Sequence, residues 1–212
     1  MLKCENIDLS VVIVNWNTKD YLKVCLASIY KTSSKYKYEV FVIDNHSSDG
    51  TCDLVLNRFP YVRLIENEQN EGFAKANNQA IKMSRGRYVL LLNPDTVILD
   101  KDHFDRLIEF MDENQECGIC GCKLLDADGS WQASIDHKPS VLKGVSIILG
   151  ANRWVHEISL LNRAFRHLSV VLPGFLSHFD SVSHESDAPV ECGSVLGAHF
   201  FMRRSMSEEV GL

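Results

Sequence analysis

Apolar residues along this chain fall into short runs that alternate with longer stretches of helical spacing. Ser10-Val11-Val12-Ile13-Val14 is a β-branched run of the kind expected of a strand buried on both faces. Thr18 stands where a helix cap is wanted, and Leu22, Cys25, Leu26, Ile29 and Tyr30 then recur on one helical face. Glu39 to Ile43 reads as a second strand ending at Asp44. The polar loop Asn45-His46-Ser47-Ser48-Asp49-Gly50 follows, then a helix over Thr51 to Asn57. Val62 to Ile65 is a third strand, and Phe73 to Ser84 a helix that turns Phe73, Ala76, Ala80 and Ile81 inward. Arg87 to Leu92 is a strongly apolar strand that stops at Asn93-Pro94-Asp95. A helix over Asp102 to Asn114 gathers Phe104, Leu107, Ile108 and Met111. Gly118 to Leu125 reads as a further strand, and Asp126-Ala127-Asp128-Gly129 as a hairpin turn into Trp131-Gln132-Ala133.

Strands and helices alternating at this spacing predict an α/β fold with a mostly parallel central sheet flanked by helices. Ligands of such sheets bind beyond the carboxyl ends of the strands. The polar groups Asn15 to Asn17, Asp44 to Ser48 and Asn93 to Thr96 all fall just past strand ends. From Pro139 to Phe179 the pattern weakens. Lys143, Arg153, Arg163 and Arg166 stand there against one acid, Glu157, with apolar residues interleaved. That composition fits one or two amphipathic helices packed on the domain, a mobile flap, or, over Val141 to Phe175, a basic surface resting on anionic lipid as a peripheral membrane contact.

Length and charge narrow the picture. A chain of 212 residues fits one domain, or one domain with a partial annex. The net charge of -6 argues against a nucleic-acid binder, which would carry a basic footprint. Seven cysteines, an odd count, and an opening without an apolar signal core point to reduced thiols and a cytoplasmic location. No run approaches the roughly 18 apolar residues of a membrane span. Cys117-Gly118-Ile119-Cys120-Gly121-Cys122 has metal-like spacing, but no second Cys or His pair completes a zinc site at a recognised interval, so these are expected to be buried structural thiols. His137, His156 and His167 carry no recognisable spacing. Gly-x-Gly-x-x-Gly and phosphate-loop motifs are absent, which disfavours dehydrogenases and P-loop enzymes.

Asp95 is the first candidate for chemistry. A carboxylate in a turn stiffened by Pro94, just past an apolar strand, can reach a hard cation such as Mg or Mn at the sheet's mouth. The bland alternative is a strand-end acid that caps the next segment. Asp44, at the end of the second strand, can accept hydrogen bonds from a base or ribose, while Ser47, Ser48 and Asp49 fit a loop and helix cap. His199, beside Phe200 and Phe201, is either near the site or a satisfied core histidine.

Five segments in order then give the chain a resemblance. They are Val11 to Asn17, Val42 to Thr51, Asn70 to Asn78, Leu91 to Thr96 and Gly197 to Arg204. Together they resemble the family 2 glycosyltransferases of the GT-A fold, notably the bacterial rhamnosyltransferase-like branch. The resemblance implies transfer of a sugar, with inversion, from a nucleoside-diphosphate sugar to a hydroxyl acceptor, a glycan or lipid-linked glycan. It implies a single GT-A-like domain over 1–212, with a donor-binding half over about 8–135 and an incomplete acceptor-side half over about 136–212. It implies a donor site of Val14, Asn15, Asn17, Asp44, Gly72, Lys75, Asn78, Asn93 and Asp95, with Asp95 as ligand to a divalent metal. Asn93 stands where the family's metal motif usually begins with Asp, leaving one strong anionic ligand. The family's base lies in a Glu-Asp pair downstream of the Arg203-Arg204 region, and this sequence contains no such pair. Asp180, Asp187 and Glu191 match no base motif, so the base is expected beyond Leu212. The alternatives are a non-catalytic nucleotide-sugar-binding module or a truncated, inactive fragment. A nucleotidyltransferase would want a Gly-rich basic loop after the first strand, and Asn15-Trp16-Asn17-Thr18 is not one.

Overall fold

The computed structural model describes residues 6–132, 134–136 and 188–211. The chain divides into two compact units, Met1–Gly121 with Gly197–Leu212, and Cys122–Leu196. In the larger unit the described elements run β1 (Leu9–Asn15), α1 (Lys19–Ile29), β2 (Tyr38–Asp44), α2 (Thr51–Arg58), β3 (Val62–Glu66), α3 (Phe73–Met83), β4 (Tyr88–Leu92), α4 (His103–Glu113) and β5 (Ile119–Cys120). In the smaller unit β6 (Leu124–Leu125) pairs with β7 (Trp131–Gln132), and β8 (Ile135–Asp136) with β9 (Ser194–Val195), each antiparallel. The chain then completes the larger unit with β10 (His199–Arg203) and α5 (Arg204–Val210).

The six-stranded sheet has the order β3-β2-β1-β4-β10-β5. The first four strands are parallel, and β10 runs antiparallel to both its neighbours. The chain therefore builds outward from β1 to β3, then returns to the other side of β1 with β4. That reversal opens a crevice between the carboxyl ends of β1 and β4, the place where open α/β sheets take ligands.

Strand periodicity of two divides the core between the sheet's faces. Leu9, Val11, Ile13, Leu90, Leu92 and Phe201 pack with Leu22, Cys25, Leu26 and Ile29 of α1 and with Phe104, Leu107, Ile108 and Met111 of α4. Val12, Phe41, Ile43, Val89 and Met202 pack with Ala76, Ala80 and Ile81 of α3 on the other face. Small alanines let α3 sit close to the sheet. Burial on both faces explains why β1 and β4 read as continuous apolar runs.

Several local details depart from the sequence reading. Thr18 precedes α1 but does not cap it with its side chain. Its hydroxyl donates to Asn15 Oδ1 at 2.6 Å, and the Lys19 N–H goes to Asp49 Oδ2 at 2.9 Å. The long strand expected over Gly118 to Leu125 is two short ones, β5 and β6. The hairpin turn is present, with Gly129 at φ 84° and its N–H donating to Asp126 O. Cys117 and Cys120 are half-buried rather than fully enclosed, because β5 is an edge strand. The basic segment over Val141 to Phe175, His137, His156, His167, Asp180 and Asp187 all lie outside the described residues. Among the described residues, no helix is long and apolar enough to cross a membrane.

The Arg203-Arg204 pair at the end of β10 is spent on the fold. Arg203 donates to the carbonyls of Cys117, Met111 and Asn114 and to the Tyr88 hydroxyl, so it closes the carboxyl end of α4. Arg204 donates to Ser84 O at 3.0 Å. At the amino ends of the strands, Glu39 accepts from Ser10 Oγ, the Arg85 N–H and the guanidinium groups of Arg63 and Arg85. Burial pushes its carboxyl up, but those bonds outweigh it and hold Glu39 below the usual carboxylate range.

Candidate functional site

At the other end of the sheet, the carboxyl termini of β1 and β2 lie side by side, with Asn15 opposite Asp44. Asn15 is fully buried and acts as a hub. Its Nδ2 reaches Asp44 Oδ1, Ser47 Oγ and Thr51 Oγ1, each at 3.2 Å. Its Oδ1 takes the Thr18 hydroxyl. The Ser47 N–H fixes the second oxygen of Asp44 at 2.8 Å. Asp44 is 2% exposed, with one carboxylate oxygen engaged by Asn15 of β1 and the other by the backbone of its own loop.

The two loops past these strands are laced together. The Asn17 N–H donates to Ser47 Oγ at 2.9 Å, and the Ser48 N–H donates to Asn17 Oδ1 at 2.8 Å. Asn17 at φ 53° and His46 at φ 68° both occupy left-handed backbone that side chains rarely adopt. Such strain persists where surrounding bonds over-determine a loop, and it concentrates at ligand sites. Asp49 serves both helices: its carboxylate takes the Lys19 N–H, the Thr51 N–H and the Thr51 hydroxyl. Burial raises its pKa, yet the Thr51 and backbone bonds prevail and hold it below the usual range.

On the β4 side, Leu92 leads into Asn93-Pro94-Asp95. The Asn93 N–H donates to Ala198 O at 3.0 Å, and Asn93 O takes the Thr96 hydroxyl and N–H. The backbone of the turn is therefore fixed. Asp95 is exposed, and among the described residues neither its carboxylate nor the Asn93 side-chain amide has a hydrogen-bond or ion-pair partner. Two oxygen ligands held on a rigid turn and left unclaimed fit a hard divalent cation that keeps other oxygens from its substrate. The buried Cys25 thiol lies under this turn, 3.8 Å from Asn93 O. Burial, with a smaller push from Asp95, raises it to about 12, so it stays a neutral thiol.

A third part comes from the loop before α3. Gly72 has φ 78° and ψ 164°, a conformation essentially restricted to glycine. Its carbonyl accepts from Asn45 Nδ2 at 3.4 Å, and its N–H donates to Asn70 Oδ1 at 2.9 Å. An amide chain then runs through the structure. Asn67 Nδ2 donates to Asn45 Oδ1 at 2.8 Å and to Gln79 Oε1 at 3.0 Å, tying the ends of β2 and β3 to α3. Sequence reasoning missed this chain, although Asn67 shares the available signal, a polar residue one step past a strand end.

The predicted donor residues fall into three sets. Asn15, Asn17 and Asp44 meet in one network, whereas Val14 packs its side chain against the α3-side core. Asn93 and Asp95 share the turn after β4. Gly72, Lys75 and Asn78 belong to the α3 end, where Lys75 pairs with Glu71 one turn back and Asn78 is half-buried. His199 is buried and meets His103 rather than any residue of the acid turn.

The chain is similar to known proteins. The chain is 33% identical over 140-odd residues to a dolichyl-phosphate beta-glucosyltransferase of Dictyostelium discoideum, covering 58% of this chain and 43% of that protein (141 residues aligned). It is 29% identical over 147 residues to an N-acetylglucosaminyl-diphospho-decaprenol L-rhamnosyltransferase of Mycobacterium tuberculosis, covering 64% of this chain and 47% of that one. The chain spans about half the length of these curated relatives. Among solved structures, Staphylococcus aureus TarS 1-349 in complex with UDP-GlcNAc superposes with a TM-score of 0.52 at 26% identity, over 61% of this chain and 38% of that one. The fold is the GT-A fold. Residues 10–175 match the model of "Glycosyl transferase family 2", and the chain belongs to that family.

Proposed function

We propose that this protein transfers a sugar, with inversion, from a nucleoside-diphosphate donor to a hydroxyl of a surface glycan or its lipid-linked precursor. The observation that carries the reading is the pairing, across the β1/β4 crevice, of a hydrogen-bonded pocket at Asn15, Asn17 and Asp44 with the unclaimed oxygens of Asn93 and Asp95. In this reading the β1 and β2 loops receive the nucleoside, with Asp44 facing the base and the backbone at Val14 lining the pocket. Gly72, Lys75 and Asn78 bound the sugar side. Asp95, aided by Asn93, would hold a divalent ion, Mg or Mn. When bound, such an ion offsets the charge that develops on the departing diphosphate.

The chain's own residues do the rest of what is proposed. Asn15 holds Asp44 in one orientation, so the base meets a pre-formed acceptor instead of a mobile acid. The Gly72 backbone lets a sugar approach without a β-carbon in the way, since nothing lies within 4 Å of that position. No acid among the described residues is assigned as the base for the acceptor hydroxyl. The lipid-linked glycan acceptor is supported by the name of the rhamnosyltransferase relative, and the UDP-GlcNAc complex of TarS supports a nucleotide-sugar donor. The proposal includes a cytoplasmic location, which the thiols of Cys25, Cys52, Cys117 and Cys192, none of them in a disulfide, support.

A thermal-shift panel of nucleoside diphosphates, with and without Mn2+, tests the reading. A ligand of the native state at a hundredfold excess over its Kd adds about 2.7 kcal/mol of stability. One nucleotide should raise Tm, and more so with metal. A panel in which no nucleoside diphosphate moves Tm would refute it.

A further inference from the structure

A second cluster of ligating atoms uses none of the side chains of the oxygen-bearing turn. His199 begins β10 and His103 begins α4, and their Nε2 atoms are 2.8 Å apart. The rings cross at 81° with centroids 4.9 Å apart. His199 is 4% exposed, and its Nδ1 has no hydrogen-bond partner. A hydrogen bond between two neutral imidazoles accounts for the Nε2 contact, one ring donating and the other accepting. It leaves Nδ1 of His199 buried and unpaired in either tautomer. The pair is therefore not a fully satisfied polar network.

The charge state suits another use of these atoms. Burial, followed by the neighbouring His103, pushes the His199 imidazole down to about 3. Burial also lowers His103, with Asp100 and Asp102 acting against that and Arg106 with it. Both rings are neutral at physiological pH, which is the form that binds metal. Two imidazole nitrogens on one tetrahedral ion, with bonds of about 2.0–2.1 Å, stand roughly 3.3 Å apart. The rings need to part by about half an ångström to admit it. Imidazole pairs favour borderline ions such as zinc over Mg or Mn, which take oxygen.

We propose that His103 and His199 form two ligands of a site for a zinc-class ion, distinct from the oxygen site at Asp95. Such an ion joins the first turn of α4 to the start of β10. His199 stands opposite Leu92, and Ala198 O holds the Asn93 N–H, so the joined elements support the strand end that carries the acid turn. The site's role is to stiffen that support. The proposal does not depend on the sugar-transfer reading, because its ligands are separate from the donor residues.

Titration of the full chain with Zn2+ alone, followed by the 15N resonances of the imidazoles, tests it. The Nε2 signals of His103 and His199 should shift together at one equivalent, ahead of the other six histidines, since the chain has eight. His103→Ala should weaken Zn2+ binding at least tenfold, and Asp95→Ala should leave it within twofold. The proposal fails if Zn2+ moves only other histidines, if His103→Ala binds as the wild type does, or if Asp95→Ala abolishes binding. The resonance test uses the unaltered protein, so it stands even where a histidine variant does not fold.

Discussion

Asn15→Asp changes one amide nitrogen to oxygen and leaves the shape of the buried hub intact. It places a second carboxylate where Nδ2 now lies 3.2 Å from Asp44 Oδ1. Two unit charges at that separation repel by about 5 kcal/mol at an effective dielectric near 20. Taking up one proton instead costs about 4 kcal/mol at pH 7 for an acid whose unfolded pKa is near 3.9. Protonation is the cheaper escape, so the loss at pH 7 is about 4 kcal/mol. At pH 5 the same proton costs about 1.5 kcal/mol. The variant's pair has one pKa raised on folding, so the native state binds more protons than the unfolded chain. Its stability relative to wild type therefore falls as pH rises from about 4 to 7, by about 1.4 kcal/mol per unit. Urea unfolding of both proteins at pH 5, 6 and 7 reads this directly. A difference from wild type that is under 1 kcal/mol and constant with pH would refute the claim that Asn15 holds the Asp44 carboxylate.

Other substitutions probe separate parts of the account. Gly86→Ala should cost about 3 kcal/mol by overpacking, because the added carbon meets Ser10 N and Tyr88 O at 2.6 Å, both backbone; chemical denaturation measures it. Gly72→Ala meets no atom within 4 Å, so its loss of about 1–3 kcal/mol comes from backbone strain alone; it should also weaken nucleotide-sugar binding, read by calorimetry. Arg203→Met keeps the aliphatic stem but strands the carbonyls of Cys117, Met111 and Asn114, costing about 3 kcal/mol. Its nucleotide affinity should stay at the wild-type value, since Arg203 is spent on α4.

The order of elements was legible because burial on both faces wrote β1, β2 and β4 as unbroken apolar runs, and the helices between them kept clear spacing. The convergence of Asn15, Asp44 and Asn93–Asp95 followed from their positions just past strand ends. What the chain did not announce was which of these side chains serves the others. Asn15 read as a pocket residue, yet it is buried and orients Asp44. Thr18 read as a cap, but the cap comes from Asp49, 30 residues away, a tertiary contact that no local pattern carries. The Asn45–Asn67–Gln79 chain and the His103–His199 contact were invisible for the same reason, the latter joining residues 96 apart. β5 was read too long because partial burial at a sheet edge leaves the same apolar lettering as a longer strand.

The central claim is that the crevice between β1 and β4 binds a nucleoside diphosphate together with a divalent ion held at Asp95. Calorimetric titration of wild type and Asp95→Asn with UDP and GDP, each with and without Mn2+, tests it most directly. Mn2+ should tighten nucleotide binding to wild type at least tenfold, and Asp95→Asn should lose this gain while keeping the metal-free affinity. Equal metal enhancement in both proteins would contradict it.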